Sequence, residues 1–301
     1  MRIGLIGTGH WATETQGAAL AAHPGVTFAG VWGRDPAKAE VLGARYGVPA
    51  HADLDALLAG VDAVAFAVPP DVQADLALRA AEAGKHLLLD KPVALTVEAA
   101  DRLVAAVDAR GLASLVFFTA RFAPAVAGFL ADRAAAGGWY AAHGTYYASI
   151  YQPGNPYAES PWRKDHGGLW DLGPHALAAV VPLLGPVVEV SAADGPRQTA
   201  HLLLRHAGGA ASTLSLTLDA APDASAFSFA FFGEHGTAAL PGIDVPAVDA
   251  FATMVDTLLA QVRDGVPGHP CDVHFGRDVV AVLAAAEVAR RERRFVTPPA
   301  R

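Results

Sequence analysis

Cysteine is nearly absent: Cys271 is the only one in 301 residues, so no disulfide can close within the chain. A lone thiol excludes a small stapled fold and fits a reducing compartment. Positive charge is also scarce, with 22 Lys and Arg against 30 Asp and Glu and a formal net charge of -8. That balance exerts no long-range pull on phosphate backbones or anionic lipid, so neither nucleic acid nor a membrane is expected as a partner. Long apolar runs are missing too. The longest uncharged apolar region, Ala176 to Val188, is broken by Pro182, Gly185 and Pro186, and a span needs roughly 20 consecutive residues. Met1 and Arg2 lead straight into a strand-like run, which leaves no place for a signal peptide. The stretch "HPCDVH" offers His269, Cys271 and His274 in a proline-rich loop without a convincing fourth ligand, so no metal is expected. The expectation is a soluble, cytoplasmic protein.

What is present is apolar content, 52% of residues, enough for two cores at this length. The first 120 residues alternate short buried runs with helical patterns, the pattern of a parallel sheet covered on both faces. Strands are predicted at 2–7, 26–33, 61–69, 86–90 and 112–118, with a weak one around Ala50 and His51. Asp35 before Pro36, Asp53, Asp71 after Pro70, and Thr96 can each start a helix. Together these predict a doubly wound, Rossmann-type sheet of order 3-2-1-4-5-6 over residues 1–120. From 121 to 301 the pattern changes to consecutive strands, at 141–151, 187–192, 199–206, 211–219 and 225–234, then helices at about 248–264 and 277–293. Those strands predict an α+β domain with a large, mostly antiparallel, open-faced sheet.

"GLIGTGHWA" sets Gly7, Gly9 and Ala12 in a GxGxxA turn between the first strand and a helix. Such a turn lets backbone N–H groups approach a pyrophosphate, so Gly7, Thr8, Gly9, His10, Trp11 and Ala12 are candidate dinucleotide contacts. At the end of the second strand, where an acid would hold the adenosine ribose of NAD, stand Gly33 and Arg34. An arginine there can fork onto a 2′-phosphate, so NADP is expected over NAD. "HLLLDKP" then pushes Lys91 out of the carboxyl end of a buried strand, into the same crevice, with Pro92 restricting its backbone. A partly desolvated lysine can hydrogen-bond a substrate oxygen or move a proton. In "HGGLWDLGPH", Asp171 and His175 are four residues apart, one turn on a helix, and Gly173 and Pro174 place them at that helix's beginning.

"GTGHWA", "AVPP", "LLLDKP", Arg121-Phe122 and "PWRKDHGGLWDLGPH", in this order, resemble the glucose-fructose oxidoreductase and inositol dehydrogenase family, Gfo/Idh/MocA. The resemblance implies hydride transfer between NAD(P) and a sugar, polyol or related alcohol or carbonyl, in a homodimer or homotetramer built through the C-terminal sheet. It identifies Lys91 with the family's EKP lysine, and Asp171 and His175 with its Asp and His, as the catalytic set. Val68, Pro69 and Asp90 join the cofactor contacts; Arg121, Trp162 and Arg163 are substrate contacts. Three positions depart from the pattern: Asp90 stands for glutamate, Val68 and Gln73 for the Thr and His of TPxxxH, and His166 for the first glycine of GGG. Relatives that use transient oxidation to cleave a glycosidic bond, or that sense nucleotides without turnover, supply the alternative functions.

Overall fold

The strands of the first region are short and mostly buried. In the computed structural model, which describes residues 1–301, β1 (Arg2–Ile6) leads into a π-helical segment (Ala12–Gly17) continued by α1 (Ala18–Ala22). β2 (Thr27–Trp32), α2 (Pro36–Tyr46) and α3 (Leu54–Ala59) follow. Then come β3 (Ala63–Phe66), α4 (Pro70–Glu82), β4 (His86–Leu89), α5 (Val97–Asp108) and β5 (Ser114–Val116). All five strands are parallel, in the order β2-β1-β3-β4-β5. Residues such as Ile3, Leu5, Val64, Leu88 and Leu115 are completely buried, each worth roughly 1.5–3 kcal/mol in apolar area removed from water.

Three of the expected helix starts are capped. Asp35 accepts the N–H groups of Ala37 and Lys38, Asp53 that of Ala56, and Thr96 that of Ala99. Asp71 is not a cap: Pro69 occupies that position and Asp71 lies in the first turn of α4. Its charge is still well placed, against the positive end of the helix dipole. The weak strand at Ala50 shrinks to one parallel bridge with Val31, so the sheet has five strands and not six.

The second region starts with α6 (Pro124–Ala136), β6 (Trp139–Tyr147) and α7 (Pro161–Leu184). β7 (Val187–Gly195), β8 (Thr199–His206), β9 (Ala211–Thr217), β10 (Ala226–Gly233) and β11 (Gly236–Ala239) complete it. The sheet order is β11-β10-β6-β9-β8-β7. It is mixed: β6 and β9 are parallel, Tyr146 opposite Leu216, while every other pair is antiparallel. α7 packs on β6 and β9. Alternate residues carry polar cross-strand pairs, among them His143 with Thr213 at 2.7 Å and His201 with Ser215 at 2.9 Å. That alternation is what a sheet with one open face requires.

The chain ends with α8 (Ala247–Asp264) and α9 (Val273–Glu292). Two compact units result, one of Met1–Ala123 with Val245–Arg277 and one of Pro124–Asp244 with Asp278–Arg301. The sequence expectation of a single boundary after residue 120 therefore misses the return of 245–277 to the first unit. That return has an evident cause. Val116 of β5 donates its N–H to the Cys271 carbonyl at 2.7 Å, Val273 donates to Ser114 Oγ at 3.2 Å, and Phe251 packs edge-on against Phe117. The segment covers what would be an unpaired sheet edge. Cys271 is thereby buried and its thiol pushed up to about 11 by burial.

Burial also holds His86, His206 and His269 below the ordinary imidazole value. The unfolded chain takes up these protons as pH falls below about 6.5 while the folded chain resists them, so stability drops on acidification. Thermal midpoints measured from pH 7.5 to 5 should fall most steeply below about 6.5, above the carboxylate range. A flat or rising midpoint across that window would contradict the burial of these rings.

Candidate functional site

The glycine turn closes over the carboxyl end of β1. Gly7 has φ +126°, and its N–H bonds the Trp32 carbonyl at 2.9 Å. A Cβ there would lie 2.3 Å from the Ala67 carbonyl oxygen, so no side chain fits without moving backbone. Around Gly9 the opposite holds, because a Cβ would meet nothing within 4 Å. The helix begins immediately, Thr13 N–H bonding the Gly9 carbonyl at 2.9 Å. Open space beside a glycine at a helix N-terminus suits a pyrophosphate. Trp11 is partly buried against Phe117, and His10 is exposed. Gly33 is glycine for a local reason: a Cβ would sit 2.5 Å from Thr8 Cγ2. Thr8 thus fills the space that an acidic side chain at position 33 would need. Arg34 is exposed beside it, and the Asp35 carboxylate is engaged in capping α2.

Lys91 follows β4, and β3 alone separates β4 from β1 in the sheet. Parallel strands put Gly7 and Lys91 on one edge. The Lys91–Pro92 peptide bond is cis, and Lys91 N–H bonds the Asp90 carboxylate at 2.8 Å. Beneath this turn lies Gln73, in the first turn of α4 and completely buried. Its Nε2 donates to the carbonyls of Asp90 at 2.8 Å, Pro92 at 3.1 Å and Val93 at 3.4 Å. Its Oε1 accepts the Asp90 N–H at 2.9 Å. Val68 packs toward the glycine turn, its Cγ1 being 3.3 Å from the position of a Gly7 Cβ, and Pro69 caps α4. Arg121 belongs to the first unit, in a 3-10 turn (Thr119–Phe122), where its charge adds to burial in lowering His269. His269 stacks on Phe122 and accepts the Cys271 N–H at 3.0 Å. No group of three His, Cys, Asp or Glu side chains could hold a metal ion.

In the second unit Asp171 and His175 both lie on α7, Asp171 buried and His175 partly so. Gly173 and Pro174 stand in the early turns of the second of two helices joined in α7, which itself starts twelve residues before Gly173, at Pro161. Its one non-helical residue is Gly167, at φ 61° and ψ -160°. The stretch after that kink is a fresh helix start, which moderates the cost of an interior proline. Arg163, from before the kink, bonds Asp171 Oδ2 through Nε at 2.8 Å. Its guanidinium lies 4.6 Å from the Tyr157 ring centre and 4.7 Å from that of Trp162. An aromatic-sandwiched, ion-paired guanidinium is a fixed one. Tyr146, on β6, places its ring 6.1 Å from that of His175. Burial pushes its phenol up to about 12, with the Asp171 charge adding to the effect. Sequence reading missed Gln73 as more than a departure, and missed Tyr146 and Tyr157 altogether. Tyr146 and His175 are 29 residues apart on different elements, a pairing that no local spacing signals.

A parallel sheet with a glycine turn after its first strand is the architecture of the dinucleotide-binding proteins; the second unit carries Asp171 and His175 on one helix. Residues 1–118 match the "Oxidoreductase family, NAD-binding Rossmann fold" of GFO/IDH/MocA, and residues 130–239 match the GFO/IDH/MocA C-terminal domain. The chain belongs to the Gfo/Idh/MocA family, and it is an NAD(P)-dependent oxidoreductase acting on CH–OH groups. It is 28% identical to the dTDP-3,4-didehydro-2,6-dideoxy-alpha-D-glucose 3-reductase of Streptomyces antibioticus, over 96% of this chain and 98% of that one. It is 34% identical to the UDP-N-acetylglucosamine 3-dehydrogenase of Acidithiobacillus ferrooxidans, over 44% and 43%. Its fold is similar to that of the WlbA dehydrogenase of Bordetella pertussis in complex with NADH and UDP-GlcNAcA. The TM-score is 0.85 at 22% identity, covering 100% and 98%. No helix is long and apolar enough to cross a membrane.

Proposed function

We propose that the chain oxidises a hydroxyl, or reduces the matching carbonyl, of a sugar, polyol or sugar-like ligand, with NADP as the preferred cofactor. The observation that carries this is Lys91 on the same sheet edge as the Gly7–Gly9 turn. The bound nicotinamide supplies a hydride acceptor or donor. Gly7, Thr8, Gly9, His10, Trp11 and Ala12 would hold the pyrophosphate of the dinucleotide, and Val68, Pro69 and Asp90 would line its nicotinamide end. Removing a hydride from a carbinol carbon leaves a protonated carbonyl unless a base takes the hydroxyl proton. His175 is the base assigned to that proton, and Lys91 the hydrogen-bond donor to a substrate oxygen as negative charge grows on it. Asp171, held by Arg163, orients and electrostatically supports the imidazolium. In the reductive direction His175 returns the proton. Trp162, Tyr157 and Arg121 offer aromatic faces and charge to the rest of the substrate.

Turnover is tested with NADP and NAD against UDP-N-acetylglucosamine, dTDP-glucose, D-glucose and myo-inositol, following the ultraviolet absorbance of reduced nicotinamide. Release of sugar without net reduction would overturn the reading. Cofactor choice is tested by fluorescence titration. NADPH should bind more tightly than NADH, and Arg34→Ala should weaken NADPH about tenfold, close to the 1–2 kcal/mol of one charge-assisted contact, leaving NADH unchanged. Equal weakening of both removes Arg34 as the reader of the 2′-phosphate.

A further inference from the structure

We propose that Gln73 is the positioning residue of the reacting lysine: its amide holds the backbone on both sides of Lys91 and so sets where the ammonium stands. This deepens the proposed chemistry and rests on it. The geometry is unusual for one side chain. A primary amide has two donor hydrogens and one acceptor oxygen, and here it reaches the Asp90 N–H and carbonyl before Lys91 and the Pro92 and Val93 carbonyls after it. Only the lysine is skipped.

The backbone around Lys91 has no helix or strand to supply these partners, because β4 ends at Leu89 and α5 does not begin until Val97. Pro92 has no N–H to contribute. Pro92 and Val93 are buried, and their carbonyls would go unsatisfied without a side-chain donor. Gln73 is fully buried, with its backbone N–H fixed to the Pro69 carbonyl at 3.0 Å. It is therefore a rigid strut from α4 to the turn. An imidazole could supply only one donor and one acceptor while neutral, and would lose the acceptor on protonation. The amide keeps both roles at every pH, so the lysine's position does not vary with acidity.

The test reads Lys91 directly. The chain's lysines are Lys38, Lys85, Lys91 and Lys164; reductive methylation with a carbon-13 label gives each a resolvable signal, and Lys91→Arg assigns that of Lys91. In Gln73→Met the Lys91 signal should shift while those of Lys38 and Lys164 stay, and Gln73→His at pH 8 should restore it. With the best substrate of the panel, kcat of Gln73→Met should fall about a hundredfold, the scale for a misplaced catalytic group, with KM for the dinucleotide within threefold. A folded Gln73→Met with an unmoved Lys91 signal overturns the proposal. If Gln73→Met does not fold, Gln73→His decides alone: its Lys91 signal should show an added inflection as the ring protonates, and superposition on the wild-type titration overturns it. Lys91→Ala, assayed in parallel, separates the two readings. Full activity in that variant removes Lys91 from the chemistry whatever the Gln73 variants show.

Discussion

Replacing Lys91 by alanine should lower kcat by about a thousandfold, within the 10²–10⁴ range for a positioned proton-transfer or oxygen-stabilising group. Dinucleotide affinity should stay within about threefold, since a contact made only as charge develops on the reacting oxygen adds little to ground-state binding. The split matters more than the size. Lys91 is one residue from Asp90 and two from the buried Val93, so a variant that disturbed packing would lose affinity, stability and turnover together. Steady-state kinetics, NADPH titration and a thermal midpoint on one preparation tell the cases apart. A fall in kcat and a tenfold loss of NADPH binding would assign Lys91 to the cofactor and not to the substrate.

Gly7→Ala should cost the most among changes in the glycine turn. Its φ of +126° is a conformation that alanine reaches only with strain, and the new Cβ would meet the Ala67 carbonyl oxygen at 2.3 Å. Strain of that kind is worth roughly 1–3 kcal/mol, and overpacking a similar amount again. The turn or the end of β3 has to move. NADPH affinity should fall by about a hundredfold, equivalent to roughly 2.7 kcal/mol, and the thermal midpoint should drop with it. Gly9→Ala is the control, because its Cβ meets nothing within 4 Å of protein. That variant should keep the wild-type midpoint and lose only nucleotide binding. If Gly9→Ala binds NADPH as the wild type does, the open space beside Gly9 is not where the pyrophosphate sits.

The glycine turn and the helix starts of the first unit were readable because their signals are local. Gly7, Gly9 and Ala12 lie within six residues, and Asp35, Asp53 and Thr96 cap helices through bonds two or three residues long. Strand direction in the second unit was not readable. Alternation in "ASTLSLTLD" reports one open face, but β6 and β9 pair parallel across about seventy residues because α7 and the β7–β8 hairpin intervene. The two halves of α7 were not readable either, because the kink at Gly167 joins them into one long element. Gln73 was visible only as a mismatch to a family pattern. Its four bonds to residues 17 to 20 positions away follow from the packing of α4 under β4, which no spacing rule encodes.

The interleaving of the two units also constrains the order in which the chain can fold. The Rossmann-type sheet is synthesised by residue 116, but the segment that covers its β5 edge comes only at Val245–Arg277. The central strand β6 likewise waits for β9 and β10. Neither unit can finish before most of the chain has left the ribosome, and until then β5 offers an open edge to neighbouring chains. A truncation ending near Ala123 should therefore behave as a sticky intermediate, although it contains every residue of the nucleotide turn and Lys91. The late segment acts as a latch on the first unit, and chains that lack it pay in aggregation before they are ever asked to bind a cofactor.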